Sequence, residues 1–476
     1  MDAIQFGTDG WRATLDEFTE RRVRIVAQGV AGYLQDAGRA GETVGVGYDA
    51  RETSEGFAEE LARVLCANGF DVVMPERDRP TPQLAWAIRD RDLAGGCMIT
   101  ASHNPPEYNG VKFVSDDGSP ALAAETDAIV DHLAEPDPLP ESEWGDVERV
   151  DVVTPHFEQC RRRIAELADV GADDGDATSD ESTTDLLDGL HVVYDAIHGS
   201  GRDTTDALLE ACGASVDRLR CERDPDFGGA HPEPSEENLQ GLVDAVRERD
   251  ADLGVANDGD ADRIAVVTPD GFLDENLFFA AIYDYLLERE SGSAVRTVST
   301  TFLVDRVADA YGETVHETPV GFKYVAEAMA DFDPLMAGEE SGGFAVRGHL
   351  RQKDGVFMAL LAAAAAVDRP LEDRVSDLLA EHGEIHQGKE SVDCPDDRKQ
   401  DVLAALEDHI PDAVAGEPVA DVVTVDGFKL LLEDGSWTLM RPSGTEPKLR
   451  VYAEAESEAR VEALLDAGRD LVEPLV

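Results

Sequence analysis

The chain has 476 residues, of which 101 are Asp or Glu and 41 are Lys or Arg, for a formal net charge of −60. That length exceeds what one hydrophobic core organises, so several domains are expected, and a hydrophobic content of 42% excludes a disordered or fibrous chain. The charge excludes a nucleic-acid partner and an anionic membrane surface, since both are gripped by clustered Lys and Arg.

Met1-Asp2-Ala3-Ile4 has neither a basic region nor an apolar signal core, so a cytoplasmic chain is expected. Thr43 to Asp49 (TVGVGYD) alternates as a strand. A helical stretch follows with Leu61, Val64 and Leu65 on one face, stopped by Asn68-Gly69, and then a strand over Asp71 to Met74. The order returns at His191 to Asp195, with Leu208, Ala211 and Cys212 before Gly213 and a strand over Ala214 to Leu219. It returns again at Val295 to Ser299, with Val304, Val307, Ala308 and Tyr311 before Gly312 and a strand over Glu313 to Glu317. Strand, amphipathic helix, glycine C-cap and strand make a βαβ repeat, which favours parallel or mixed sheets covered by helices.

Each unit leads into a strand-loop-strand with a polar loop: Met98 to Phe113, Leu253 to Val267 and Leu335 to Val346. Three equivalent loops can line one cleft. Gly171 to Asp185 is acidic and of low complexity, and reads as a solvated insertion. Gly355 to Val367 is apolar but too short to span a bilayer, and reads as a buried helix. From about Glu384 the repeat stops; Ser436 to Val451 is another strand-loop-strand, followed by a helix from about Ser457. The expected fold class is α/β: three repeated mixed-sheet α/β domains (1–154, 155–268 and 269–383) plus a smaller C-terminal α+β domain (384–476) around a central cleft.

Only seven basic residues are lysine: Lys112, Lys323, Lys353, Lys389, Lys399, Lys429 and Lys448. An acidic, lysine-poor surface suits a salt-loaded cytoplasm, where counterions screen self-repulsion, so a halophilic source is expected. Six cysteines without C-x-x-C spacing fit a reducing cytosol, with neither a disulfide framework nor a zinc knuckle. Gly45-Val46-Gly47-Tyr48-Asp49-Ala50 matches a dinucleotide-binding pattern formally, but its glycines fall within the strand, so that reading is rejected.

The loops carry the chemistry. Asp258, Asp260 and Asp262 alternate around a glycine turn and can converge on a hard divalent cation; the bland alternative is a solvated acidic turn. Thr100-Ala101-Ser102-His103-Asn104-Pro105 sets a serine beside a histidine where the backbone must turn, without the G-x-S-x-G elbow of esterases. A capped Asx-Pro turn is the alternative there. Lys112 follows ten residues on, able to neutralise or deprotonate a phosphorylated centre. Gly338 to Gly343 (GEESGG) offers carboxylates and a hydroxyl for sugar hydroxyls. Arg441 to Lys448 (RPSGTEPK) combines cations, hydroxyls and glycine-exposed N–H groups, a mixture suited to a phosphate monoester.

TASHNP followed by YNGVK, then DGDADR, GEESGG and RPSGTEPK, after an N-terminal FGTDGWR, resembles the alpha-D-phosphohexomutase family along the whole chain. The resemblance implies four domains and reversible phosphoryl transfer between C1 and C6 of a hexose phosphate. It implies that Ser102 is a phosphoserine and that Asp258, Asp260 and Asp262, with the Ser102 phosphate, hold one Mg²⁺ per chain. His103 and Lys112 would serve proton transfer, with Arg12 and Arg51 adding positive charge. Arg263 would lie beside the transferred group, Glu339 and Ser341 would contact sugar hydroxyls, and Arg441, Ser443, Gly444 and Thr445 would grip the other phosphate. A hexose 1,6-bisphosphate is the implied intermediate and activator, and small hexose phosphates are the implied partners.

Glu340 stands where glucosamine-specific members usually carry Gln and mannose-accepting members Met, and Gly343 where both often carry His. Pro319 to Tyr324 (PVGFKY) resembles the glucose branch. Glucose 1-phosphate to glucose 6-phosphate is therefore the expected reaction and a halophilic archaeal source is expected, with mannose- or glucosamine-phosphate mutase activity as the alternative. A metal-dependent phosphatase would not need both a sugar loop and a distal phosphate loop. A non-catalytic sugar-phosphate sensor would bind without turnover.

Overall fold

The structure, a computed structural model, describes residues 4–7, 9–169, 185–444 and 446–476. Residues 171–184 of the acidic stretch, Thr8 of the N-terminal motif and Thr445 lie outside the described residues.

Four sheets follow one another along the chain. The first contains β1 (Trp11–Thr14), β2 (Thr43–Tyr48), β3 (Asp71–Pro75), β4 (Gly96–Ile99), β5 (Tyr108–Val114) and β6 (Val147–Val150), in the order β1-β5-β4-β2-β3-β6. The second contains β7 (His191–Asp195), β8 (Ser215–Leu219), β9 (Leu253–Asn257), β10 (Ile264–Thr268) and β11 (Gly271–Leu273), in the order β11-β10-β9-β7-β8. The third contains β12 (Ala294–Thr297), β13 (Val315–Thr318), β14 (Met336–Gly338) and β15 (Phe344–Val346), in the order β13-β12-β14-β15.

These three share one plan: a parallel trio (β3-β2-β4, β8-β7-β9, β13-β12-β14) closed by an antiparallel strand (β5, β10, β15). The repeat expected from the sequence is this plan. Its helices end at Gly69, Gly213 and Gly312, whose φ values of 86°, 104° and 75° lie where a side chain would be strained.

The fourth sheet is wholly antiparallel: β16 (His386–Asp393), β17 (Ala413–Val414), β18 (Glu417–Val423), β19 (Phe428–Leu432), β20 (Trp437–Pro442) and β21 (Lys448–Ala455), in the order β16-β21-β20-β19-β18-β17. Helix Glu458–Val472 packs across it and buries Val461, Leu464 and Leu465.

In every unit the decorated loop is the hairpin between consecutive antiparallel strands: β4–β5, β9–β10, β14–β15 and β20–β21. The apolar run beginning at Gly355 forms helix Gly355–Asp368, buried from Gly355 to Ala365 within one core that joins the second and third sheets. No helix among the described residues is long and apolar enough to cross a membrane.

Two elements cross the expected boundaries. β11 pairs with β10, Val266 opposite Leu273, because Pro269-Asp270 turns the chain straight back, so the second sheet extends beyond residue 268. The 154/155 boundary falls in the first turn of helix Val153–Asp169, whose Cys160, Ile164 and Leu167 pack into the shared core of the second and third domains. Gly45 and Gly47 lie within β2, where a Cβ would come within 3.1 Å of Leu84 side-chain atoms; they make room for helix Thr81–Asp90.

Candidate active site

The β4–β5 hairpin holds Ser102 in the left-handed region, at φ 51°, which is costly for a residue with a side chain. Arg51 maintains this shape. Its guanidinium donates to the carbonyls of Ser102 (2.8 Å), Asn104 (2.6 Å), Pro105 (2.6 Å) and Tyr108 (3.1 Å), and to Asp49 at 3.0 Å. Asp49 also accepts from Thr100 Oγ1 at 2.7 Å, and Thr100 Oγ1 accepts from the Ser102 N–H at 2.8 Å. Fully buried, Arg51 is the loop's clamp, with its donors directed to backbone carbonyls and Asp49.

Ser102 Oγ donates to Asp258 Oδ2 at 2.7 Å and lies 3.2 Å from His103 Nδ1. Burial, then the nearby Arg263 and Arg12 guanidiniums, hold His103 well below the usual imidazole range, so it is neutral at pH 7.

Asp258, Asp260 and Asp262 are buried, and one carboxylate oxygen of each lies within 4.8 Å of the others. Thr81 Oγ1 donates to Asp260 at 2.6 Å, tying the first domain to this loop. Lys112 Nζ, from β5, reaches Asp260 (2.9 Å), Asp262 (2.8 Å) and Asp9 (3.0 Å). Burial disfavours its ammonium, but the three carboxylates outweigh burial and hold Lys112 protonated well above the usual lysine range. Lys112 therefore stands as a positive charge among these carboxylates.

Asp260 Oδ1 and Asp262 Oδ1 are buried without a hydrogen-bond partner among the described residues. Burial, and then repulsion from Asp260 and Asp262, push Asp258 well above the usual carboxylate range. Orphaned oxygens and mutual repulsion are what a hard divalent cation relieves, so the residues fit Mg²⁺.

In front of this wall lies a cavity of about 640 Å³, lined by Arg12, His103, Arg263, Glu339, Ser341, Arg441, Ser443 and Gly444 among others. The four hairpin loops thus meet as expected. Ser102, Lys112 and the three aspartates stand behind the lining. Arg12 bonds to Asp9 at 2.7 Å and to Asn104 Oδ1 at 3.3 Å. Glu339 accepts from the Gly321 N–H at 2.9 Å, and burial raises its carboxyl to about 7. Glu340 accepts from Thr297 Oγ1 at 3.0 Å. Arg441 is steered by Asp426 at 2.8 Å, and Lys399 Nζ pins the Ser443 carbonyl at 2.7 Å.

Two groups escaped the sequence reading, Asp9 and Glu275, and a third, Lys353, entered it only as one of the rare lysines. Lys353 bridges Asp262 (3.1 Å) and Asp9 (3.3 Å), and its stem occupies the space a side chain at Gly343 would need, with a Cβ there only 2.5 Å from Lys353 Cδ. Its rarity was the one available signal. Asp9, quoted only within a motif, is the shared acceptor of Arg12, Lys112 and Lys353. Glu275 lines the cavity with its carboxyl pushed up to about 8 by burial, and then by Asp274; in sequence it reads as an ordinary first-turn acid.

Known proteins resemble this chain along its length. Models described as phosphoglucomutase/phosphomannomutase alpha/beta/alpha domains I, II and III match residues 3–139, 176–271 and 274–384, and the C-terminal domain of that family matches 391–471. A Thermococcus kodakarensis protein named phosphoglucomutase/phosphomannomutase is 32% identical over 474 residues, 98% of each chain. A Methanopyrus kandleri protein named probable phosphoglucosamine mutase is 35% identical over 98% of this chain and 97% of its own. The crystal structure of a Thermus thermophilus protein bearing a phosphomannomutase name superposes with a TM-score of 0.83 at 31% identity, covering 99% of both chains. The chain belongs to the phosphoglucomutase/phosphomannomutase family, the alpha-D-phosphohexomutases.

Proposed function

We propose that this member of a family of hexose-phosphate mutases interconverts glucose 1-phosphate and glucose 6-phosphate through a phosphoserine at Ser102 and a glucose 1,6-bisphosphate intermediate. The observation that carries the reading is the approach of Ser102 Oγ to Asp258 (2.7 Å) behind a cavity that also reaches Arg441, Ser443 and Gly444. A phosphoryl carrier on one side and a phosphate grip on the other are what a bisphosphate requires, and neither a phosphatase nor a sensor needs both.

Asp258, Asp260 and Asp262 would hold Mg²⁺ together with the Ser102 phosphate. When bound, the ion supplies positive charge to the transferring phosphoryl oxygens. Phosphoryl transfer depends mainly on in-line placement and charge neutralisation. Lys112, Lys353, Arg12 and Arg263 would contribute fixed positive charge, and neutral His103, which lines the cavity beside Ser102, would accept the proton of the attacking sugar hydroxyl. In the forward half-reaction the Oγ–P bond of phospho-Ser102 breaks, the O6–P bond forms, and the O6 proton passes to His103. After the bisphosphate turns over, its C1 phosphoryl returns to Ser102 Oγ, and His103 gives its proton to O1. Glu339 and Ser341 hold sugar hydroxyls, and Arg441, Ser443, Gly444 and Thr445 hold the phosphate that is not moving. Free hexose 1,6-bisphosphate re-phosphorylates a Ser102 that has lost its group.

One observation favours a second reading. Glu233, Glu275, Glu339 and Glu340 line the same cavity, and the ammonium of glucosamine 1-phosphate would draw Glu275 and Glu339, raised to about 8 and about 7 by burial, back to their charged forms. A halophilic archaeal source also belongs to the proposal and rests on the −60 charge and the seven lysines.

The test is kcat/KM for glucose-, mannose- and glucosamine 1-phosphate side by side, with Mg²⁺ and catalytic hexose bisphosphate. Glucose 1-phosphate is expected to lead. A lead for glucosamine 1-phosphate would select the second reading, and turnover of none would overturn both.

A further inference from the structure

Away from the cavity, His156, Cys160, His349 and Asp354 meet with exposures of 0%, 0%, 3% and 1%, and none of them lines the catalytic cleft. His156 and Cys160 share one face of helix Val153–Asp169 through their i, i+4 spacing. His349 and Asp354 lie on the connection from β15 to helix Gly355–Asp368. Both imidazole Nε2 atoms are 2.7 Å from Asp354 Oδ2, and Cys160 Sγ is 3.6 Å from His156 Nε2. Asp354 Oδ1 is spent capping its helix through the Phe357 N–H at 2.8 Å, which leaves Oδ2 facing the imidazoles. Trp86 and Phe357 stack on the His349 ring, with centroids 6.0 Å and 4.3 Å away.

We propose that these four side chains form a structural Zn²⁺ site, distinct from the catalytic Mg²⁺ position, that rivets helix Val153–Asp169 to the third domain. Two imidazoles, a thiolate and a carboxylate are a closed tetrahedral donor set whose soft members select Zn²⁺ over Mg²⁺. Thiolate and carboxylate cancel the +2 charge, so the occupied site is neutral and its burial carries no net ionic cost. A tetrahedral ion with bonds of about 2.0–2.1 Å spaces N and O ligands about 3.3 Å apart, so the present contacts need open by only about half an ångström. On binding, the Cys160 thiol proton leaves to solvent and each imidazole keeps one proton, moved to Nδ1.

The rivet would act where it counts. Gln159 donates to the Gly348 carbonyl at 2.9 Å and Arg163 to the Arg347 carbonyl at 2.8 Å, so the helix already straps this segment. A Cβ on Gly355 would come within 2.3 Å of the Arg263 carbonyl, so the residue next to Asp354 backs the Asp258–Arg263 loop directly.

Co²⁺ is the direct probe. The full chain, stripped with chelator and held in excess Mg²⁺, is expected to bind one equivalent of Co²⁺ with a near-ultraviolet thiolate-to-cobalt charge-transfer band and a raised Tm. Zn²⁺ should displace it. Cys160→Ser should abolish the band and His349→Gln should weaken it, whereas Asp258→Asn should leave it unchanged, since the Mg²⁺ site has no thiolate. Absence of the band in the unsubstituted protein, or its persistence in Cys160→Ser, would overturn the proposal and leave a hydrogen-bonded cluster.

Discussion

Ser102 owes its place to groups that never touch a substrate. Arg51 holds four carbonyls of its loop, and its buried ion pair with Asp49 has no access to solvent. Replacing Arg51 by Met strands Asp49 and those carbonyls, so a stability loss of about 3–5 kcal/mol is expected, read as a lowered denaturant midpoint together with loss of turnover. Lys353 differs: it shares Asp9 and Asp262 with Lys112, so the carboxylates keep one cation when it is removed. Lys353→Met should therefore lower kcat/KM by about 10²-fold with little change in Tm; unchanged kinetics would remove Lys353 from the site. Legibility divides along the same line. Ser102, the three aspartates and the phosphate loop were readable because each motif is contiguous. The partnership of Lys353 with Asp9 was not, because it joins residues 344 apart in the chain. Arg51 was noticed as a cation, but only the folded loop shows where its donors go.

At the scale of elements, one hairpin position is reused four times, and the close meeting of two such hairpins sets a sharp constraint. A Cβ on Gly259 would lie 2.6 Å from the Ser102 carbonyl oxygen, a backbone atom that cannot swing aside. Gly259→Ala should push the two loops apart and reduce kcat by about 10²-fold, with the fold kept; stopped-flow turnover alongside circular dichroism checks this. The repeat itself was legible because helix period, glycine stop and strand alternation agree locally three times over. β1 and β6 went unread because short edge strands are defined by their partners: β1 exists through Arg12 opposite Gly110, and β6 through Val72 opposite Val147. The meeting of Cys160 with His349 and Asp354 was invisible for the same reason, since those partners lie about 190 residues on in the chain.

Across the whole molecule, the −60 charge surrounds a cleft whose wall carries Arg12, Arg263, Lys353, Lys389, Arg441 and Arg450. Screening by salt relieves the outer repulsion, since the Debye length falls to about 3 Å at 1 M. Tm is therefore expected to climb steadily from low to molar KCl, and a flat profile would remove the halophilic reading. The fourth domain docks through Lys429, which donates to the Val298 carbonyl at 2.8 Å and to Glu317 at 3.1 Å while lying 4.1 Å from the Phe302 ring and 4.3 Å from the Trp437 ring. Burial, and then Arg296, lower its amine to about 8. The unfolded chain keeps that proton to about 10.5, so between these values the unfolded state binds more protons and folding gains stability as pH rises. Relative to Lys429→Met, the unsubstituted protein should become more stable from pH 8 to 10.5, as read by parallel urea titrations; a falling difference would contradict the burial argument. The central claim remains that Ser102 carries the phosphoryl group between two ends of one sugar. It is tested most directly by incubating the protein and its Ser102→Ala variant with glucose 1,6-bisphosphate and Mg²⁺, then measuring both the mass of the Ser102 peptide and glucose 1-phosphate interconversion. One added phosphoryl on Ser102 with turnover, and neither in the variant, is the predicted result; turnover in Ser102→Ala near that of the unsubstituted protein would contradict it.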